Sequence, residues 1–301
     1  MLAMTSGLSS SVDHQLVWDL GYELLELWSS GPYCDVWQVR QRSTYGLFAW
    51  KQLRAEYENN PAARASLEND AAVGQLVQSP LLERLLESHT QESPRYIIRE
   101  WFDGRTLDRV LQEHGRLPLR QALWIVRQCA QGLDDLLHAG LMHGDVRAAH
   151  IVVNTRTGLI KLIELGAARR VGPTSGLESH QRTTKAGPLQ DYDTVVAPPQ
   201  LQGPAKDLHQ LGVILFRSLA GRLPFEGETA ADMLRGQQTS VADDLRRARP
   251  DVTPAVIDVV SDLLSVNAER PITHPAVLVN RLMELEVGEL LKLEVPRRRA
   301  H

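Results

Sequence analysis

The stretch from Leu141 to Gly166, LMHGDVRAAHIVVNTRTGLIKLIELG, constrains this chain more than any other. Ile151-Val152-Val153 and Leu159-Ile160-Lys161-Leu162-Ile163 are short, apolar, β-branched runs, and Thr157-Gly158 between them supplies turn chemistry. That combination predicts a hairpin. Its ends carry His143, Asp145, Arg147, His150 and Glu164. Polar side chains at the ends of a rigid hairpin are well placed for a site, because the scaffold holds them in register.

Such a hairpin needs a core around it. At 301 residues and 43% hydrophobic content, the chain can build one two-lobed domain or two small ones. A net charge of -4 and a pI near 6.2 leave no electrostatic footprint for nucleic acid. The only basic run, Arg297 to Arg299, reads as a solvated terminus. Cys34 and Cys129 make no disulfide framework and suit a reducing compartment. The best apolar run, Leu208 to Ala220, is broken by His209, Gln210 and Arg217, so no membrane span is expected. Met1 to Ser11 has neither a positive n-region nor an apolar stretch. A soluble cytoplasmic protein is expected.

In chain order, residues 1–20 read as a tail and lead-in. Glu23 to Leu27 and Val36 to Val39 are strand-like and flank a loop from Trp28 to Asp35. Leu47 to Lys51 and Arg95 to Arg99 are further strands, and Ala62 to Val77 is a helical pattern. Thr106 and Leu107 open a helix. Leu119 to Ala139 is amphipathic, with Leu123, Val126, Ala130, Leu133 and Leu137 on one face. Residues 167–196 form a long polar segment, and Val256 to Leu264 and Ala276 to Leu285 are helical.

The order and spacing of these pieces resemble the eukaryotic-like, Hanks-type Ser/Thr protein kinases over roughly residues 20–285. The family's catalytic loop reads H-R-D-x-K-x-x-N and its metal loop D-F-G. Here the same frame reads His143-Gly144-Asp145-Val146-Arg147-Ala148-Ala149-His150, then Glu164-Leu165-Gly166. Leu47-Phe-Ala-Trp-Lys51 is similar to the V-A-I-K strand, and Ala197-Pro198-Pro199 stands where the family has A-P-E. Asp207 matches the aspartate that ties down the catalytic-loop backbone, and Arg270-Pro271 matches the late arginine. The resemblance implies an α+β, bilobal fold, with a small β-rich N-lobe carrying one main helix and a larger helical C-lobe. The kinase-like domain is then 21–285 (N-lobe about 21–100, C-lobe about 104–285), with tails at 1–20 and 286–301.

The resemblance also assigns roles. Asp145 would be the catalytic base and Arg147 would stand in for the catalytic-loop lysine. Gly31, Val36, Ala49, Lys51, Glu100, Phe102 and Val152 would bind ATP; Glu164 and His150 would hold Mg²⁺ or Mn²⁺. Asp70 falls in the slot of the glutamate that pairs with the strand lysine, with Glu68 two residues away as the other option. Asp70 is one methylene shorter, so the pair is expected to stay open. Arg99 falls at the back of the adenine pocket, and a buried arginine needs a carboxylate; Asp70, Glu68 and Glu164 are the candidates.

The departures from the pattern bear on chemistry. Ser29, Gly31 and Cys34 occupy the three glycine slots of the phosphate loop, so one glycine survives, and Pro32 removes an N–H. Imidazole is a poor Mg²⁺ ligand, and Glu164 moves its carboxylate by one methylene where Mg²⁺ tolerates little error. Gly144 replaces the arginine that reads an activation-loop phosphate. If each change cost even ~2 kcal/mol, the rate would fall by a factor of order 10⁴ or more. The chain is therefore expected to be a pseudokinase, a binding, scaffolding or regulatory module for a protein partner with impaired Mg-ATP binding, or with no cofactor at all. The alternatives are a divergent active Ser/Thr kinase acting on protein hydroxyls, and a small-molecule phosphotransferase.

Overall fold

The computed structural model describes residues 12–172, 201–225, 241–264 and 271–294. The chain divides into two compact units, Met1–Gln78 with Glu83–Trp101, and Ser79–Leu82 with Phe102–His301.

The first unit is built on a five-stranded antiparallel sheet of β1 (Tyr22–Ser30), β2 (Cys34–Gln41), β3 (Leu47–Leu53), β4 (Leu85–His89) and β5 (Tyr96–Glu100), in the order β1-β2-β3-β5-β4. Side chains alternate between its faces. One face gathers Cys34, Leu53 and Ile97 against Ala63, Leu67 and Ala71 of helix α2 (Pro61–Leu76). The other gathers Tyr22, Val39, Trp50, Tyr96 and Ile98 with Val12 and Val17, and Trp50 stacks on Tyr96 at 4.2 Å between ring centroids. Val17 belongs to helix α1 (His14–Asp19), which is capped by the Asp13 carboxylate accepting from the Gln15 and Leu16 N–H groups. Residues 14–19, expected as lead-in, are thus a helix whose apolar side is part of the core. The cap explains why so short a segment holds its shape: it satisfies N–H groups the helix cannot satisfy itself. Asn60 does the same for α2 through Ala63 N–H at 3.0 Å, and Pro61 starts the helix with no N–H to lose.

The expected loop from Trp28 to Asp35 is much shorter than the sequence suggests. β1 runs on to Ser30 and β2 begins at Cys34, so Gly31, Pro32 and Tyr33 alone make the turn. Two bulges, between Leu24 and Glu26 and between Leu27 and Ser29, keep β1 paired to its end.

The second unit begins with β6 (Arg105–Thr106), α3 (Leu107–His114), α4 (Leu119–His138) and β7 (Leu141–Met142). The hairpin follows as β8 (Ile151–Val153) and β9 (Ile160–Leu162), with Ile151 opposite Leu162. Gly158 turns it at φ +73°. β10 (Arg169–Arg170) pairs with β7, and β6 completes a three-stranded sheet with β8 and β9. Helices α5 (Pro204–Ala220), α6 (Val241–Ala248), α7 (Pro254–Leu264) and α8 (Pro275–Glu294) complete the unit. α5 is buried almost throughout and packs against α4, α6 and α7. On α4, Leu136 is buried where Leu137 was expected to be. α8 runs past the expected end at Leu285, and the Arg127 guanidinium of α4 grips Glu286 with Nε at 2.9 and 3.0 Å from the two carboxylate oxygens.

Among the described residues, no helix is long and apolar enough to cross a membrane. Ala197-Pro198-Pro199, Arg270, Arg297 to Arg299 and most of the polar segment 167–196 lie outside the described residues.

Candidate functional site

The first unit places Val36, Ala49 and Lys51 on one face of the sheet, because Val36 pairs with Lys51 across β2 and β3 and Ala49 lies two residues from Lys51. Ala49 also pairs with Arg99 on β5, which brings Arg99 to the same face. Lys51 Nζ lies 2.7 Å from Asp70 Oδ2. The expectation that aspartate is too short to close this pair is wrong. The reason lies one turn further along α2. A Cβ added to Gly74 would stand 2.8 Å from Leu85 Cβ, so the bare glycine lets the helix approach β4 closely enough for the shorter side chain to reach. Glu68, the other candidate, is exposed.

Arg99 is buried, with 2% of its surface exposed. Its Nη2 donates to the second Asp70 oxygen, Oδ1, at 2.6 Å, and lies 3.3 Å from the Asp70 main-chain carbonyl. Its Nη1 faces Glu83 Oε1 at 3.3 Å and the Glu83 carbonyl at 3.4 Å. Two cations and two carboxylates thus share one buried cluster. Glu83 escapes sequence reasoning: the only signal for it is that a fully buried guanidinium carries more donors than one carboxylate can satisfy.

At the phosphate-loop position, the Gly31 N–H donates to the Cys34 carbonyl at 2.8 Å. The amide of the one surviving glycine is therefore spent inside the turn. Asp35 is buried and accepts the Ser30 hydroxyl at 2.5 Å. Glu100 is exposed and gives its N–H to the Arg84 carbonyl at 3.0 Å. Next to it, Trp101 meets Trp28 of β1 edge-on, with 5.0 Å between ring centroids.

The second unit holds the remaining candidates. Asp207, near the start of α5, accepts the main-chain N–H groups of His143 at 2.8 Å and Gly144 at 3.0 Å, one on each carboxylate oxygen. Burial pushes its carboxyl up, while His143 and these two N–H groups pull it back down. His143 is buried, and burial lowers its pKa against the pull of Asp207. Its contacts fit a neutral ring protonated on Nε2: Nε2 faces the Ile163 carbonyl at 3.1 Å, and Nδ1 accepts the Asp145 N–H at 3.3 Å. One aspartate and one imidazole thereby fix the backbone from His143 to the Asp145 N–H. Gly144 turns at φ +81°, with the Ala167 carbonyl oxygen 2.6 Å from where a Cβ would stand.

His150 ends a helical turn, and its Nδ1 donates to the Asp145 carbonyl at 2.9 Å. Burial lowers its pKa, and Asp145 and Glu164 oppose that shift. Asp145, Arg147 and Glu164 are thus brought within electrostatic reach of His150. Glu164 sits at φ +67°, ψ +52°, a left-handed conformation that costs a non-glycine residue roughly 1–2 kcal/mol. Even so, among the described residues no group of three or more His, Cys, Asp or Glu side chains is arranged to hold a metal ion. Val152 is buried in β8, where Gly104 crosses it so closely that a Cβ would meet Val152 Cγ1 at 2.9 Å; Phe102 is half-buried.

A family model described as the protein kinase domain matches residues 22–283. The chain is 26% identical over 254 residues to the serine/threonine-protein kinase PknA of Mycobacterium tuberculosis, covering 81% of this chain and 56% of that one. It is 27% identical over 217 residues to a probable serine/threonine-protein kinase of Clostridium perfringens, covering 69% and 30% of the two chains. It is 25% identical over 272 residues to the serine/threonine-protein kinase PknB of Mycolicibacterium smegmatis, covering 89% and 43%. The chain thus spans between about a third and a little over half of the length of these relatives.

Proposed function

The chain belongs to the protein kinase domain family, and from that premise we propose that it acts as a pseudokinase, a binding or regulatory module for a protein partner. The observation that carries this reading is the turn at Gly31. Phosphoryl transfer is mostly positioning and charge stabilisation of the phosphates. Here the surviving loop glycine gives its N–H to Cys34, Pro32 has none to give, and the Asp35 carboxylate stands beside the turn. The altered metal positions point the same way, since imidazole at His150 and the displaced carboxylate of Glu164 suit Mg²⁺ poorly.

A second reading, a divergent Ser/Thr kinase using ATP with Mn²⁺, draws on two specific observations. Lys51 and Asp70 are paired, and Asp207 and His143 hold the Asp145 backbone as a working base would require. Asp145 would then accept the substrate hydroxyl proton and Lys51 would neutralise phosphate charge.

Thermal unfolding with ATP alone, with Mg²⁺ and with Mn²⁺ tests the choice. A ligand at a hundred times its Kd stabilises by about 2.7 kcal/mol, which is several degrees. The pseudokinase reading expects no metal-dependent rise and no transfer of radiolabel to protein. A metal-dependent rise, with transfer that Asp145→Asn abolishes, would establish the second reading instead.

A further inference from the structure

We propose that Arg99 is a positioning residue that anchors α2 to the sheet through Asp70, independently of Lys51. The two cations on Asp70 are not equivalent. Lys51 reaches one carboxylate oxygen with one ammonium group. Arg99 takes the other oxygen, approaches the Asp70 main-chain carbonyl, and faces both the side chain and the main chain of Glu83, just before β4. It therefore joins three pieces of chain: its own strand β5, the middle of α2 and the entry to β4. The Lys51 ammonium joins β3 to α2 through one oxygen of the Asp70 carboxylate.

Burial sharpens the difference. Asp70 is fully buried and Arg99 nearly so, whereas Lys51 is somewhat more accessible. Taking Lys51 away leaves the Asp70 carboxylate still paired with a guanidinium. Taking Arg99 away removes the guanidinium from Oδ1 of the fully buried Asp70 carboxylate and breaks its link to Glu83, and a buried charge deprived of a partner is the costly case. A helix docked by a single lysine–carboxylate pair depends on that lysine and on whatever else the lysine binds. Here the anchor lies behind the lysine, on the neighbouring strand, so α2 keeps its place whatever Lys51 does. This inference stands on the geometry of the first unit and does not depend on whether phosphotransfer occurs.

Hydrogen exchange of the full chain, read on peptides covering residues 61–76, tests it with Lys51→Met, Arg99→Met and Arg99→Lys. The expected result is exchange in Lys51→Met within about twofold of the natural chain, and at least tenfold faster exchange in Arg99→Met. Helices α4 and α5 of the second unit should remain within about twofold in every variant, which separates loss of an anchor from global unfolding. Arg99→Lys, which keeps the charge but not the fork, should fall between, and it carries the test alone if Arg99→Met does not fold. Exchange of α2 that rises as much in Lys51→Met as in the Arg99 variants, or that does not rise in Arg99→Lys, would overturn the proposal.

Discussion

Gly144 offers the sharpest test of how the catalytic-loop backbone is held. It turns at φ +81°, and a Cβ there would stand 2.6 Å from the Ala167 carbonyl oxygen, closer than real Cβ contacts come. Two costs follow for Gly144→Ala. The left-handed conformation costs an L-residue roughly 1–2 kcal/mol. The clash adds to this, because the obstacle is main chain tied by the β7–β10 pairing and cannot swing aside as a side chain can. Together they amount to about 3 kcal/mol. Gly140 separates the two: it has a similar φ of +74°, yet a Cβ there meets no atom of the described residues within 4 Å. Gly140→Ala should therefore show the conformational part alone, about 1 kcal/mol. At roughly 2–4 °C per kcal/mol for a chain of this class, Gly144→Ala should lower the melting temperature by ~6–12 °C and Gly140→Ala by ~2–4 °C. Calorimetry on both variants reads the difference. Equal shifts would refute the reasoning, since the close approach of Ala167 would then carry no energy.

Asp207→Asn keeps the shape but presents one NH₂ group to two N–H donors, so it should cost about 2 kcal/mol, read as a lower urea midpoint at unchanged slope. Glu286→Ala should cost about 1–3 kcal/mol by freeing the Arg127 guanidinium; no loss would mean that α8 beyond Leu285 contributes nothing to the unit. His209 of α5 is buried, its ring nitrogens have no hydrogen-bond partner among the described residues, and burial lowers its pKa from 6.5 to about 4. The unfolded chain takes up this proton first as pH falls below 6.5, so the neutral ring's share of stability is full above that value and is lost on the way down towards 4. About 2 kcal/mol should be gone by pH 5, and His209→Leu should lose correspondingly less between pH 7.5 and 5; parallel losses in denaturation midpoints would contradict it.

The strongly periodic elements were legible before any coordinates. Leu119 to Ala139 was expected as a helix and runs Leu119–His138; Ala62 to Val77 was expected and runs Pro61–Leu76. Both have caps or a starting proline that mark their ends, and both repeat an apolar stripe over several turns. Features decided by distant packing were not legible. α1 has six residues and too little pattern to declare itself, and its place comes from a sheet face formed much later in the chain. The Trp28 to Asp35 segment looks like a loop by its Ser, Gly and Pro content, yet β1 and β2 take in all but three of its residues.

The Lys51–Asp70 pair shows why a site can be named from sequence while its state cannot. Comparing side-chain lengths assumes a fixed distance between helix and strand, and on that assumption aspartate falls short. The distance is itself a variable set by Gly74 against Leu85, two residues with no chemistry of their own. Arg99 then takes the oxygen that Lys51 leaves, and Glu83 takes the donors that Asp70 leaves. Each substitution is a defect when read singly against the family pattern. Read together, the shorter acid, the glycine and the strand arginine are mutually supporting, because each makes room or charge for the next. At the phosphate-loop turn, Pro32, Asp35 and the Gly31 amide spent on Cys34 all act against a phosphate. Support behind the lysine and losses at the turn are what the proposed pseudokinase reading expects, and metal-dependent binding of ATP would contradict it.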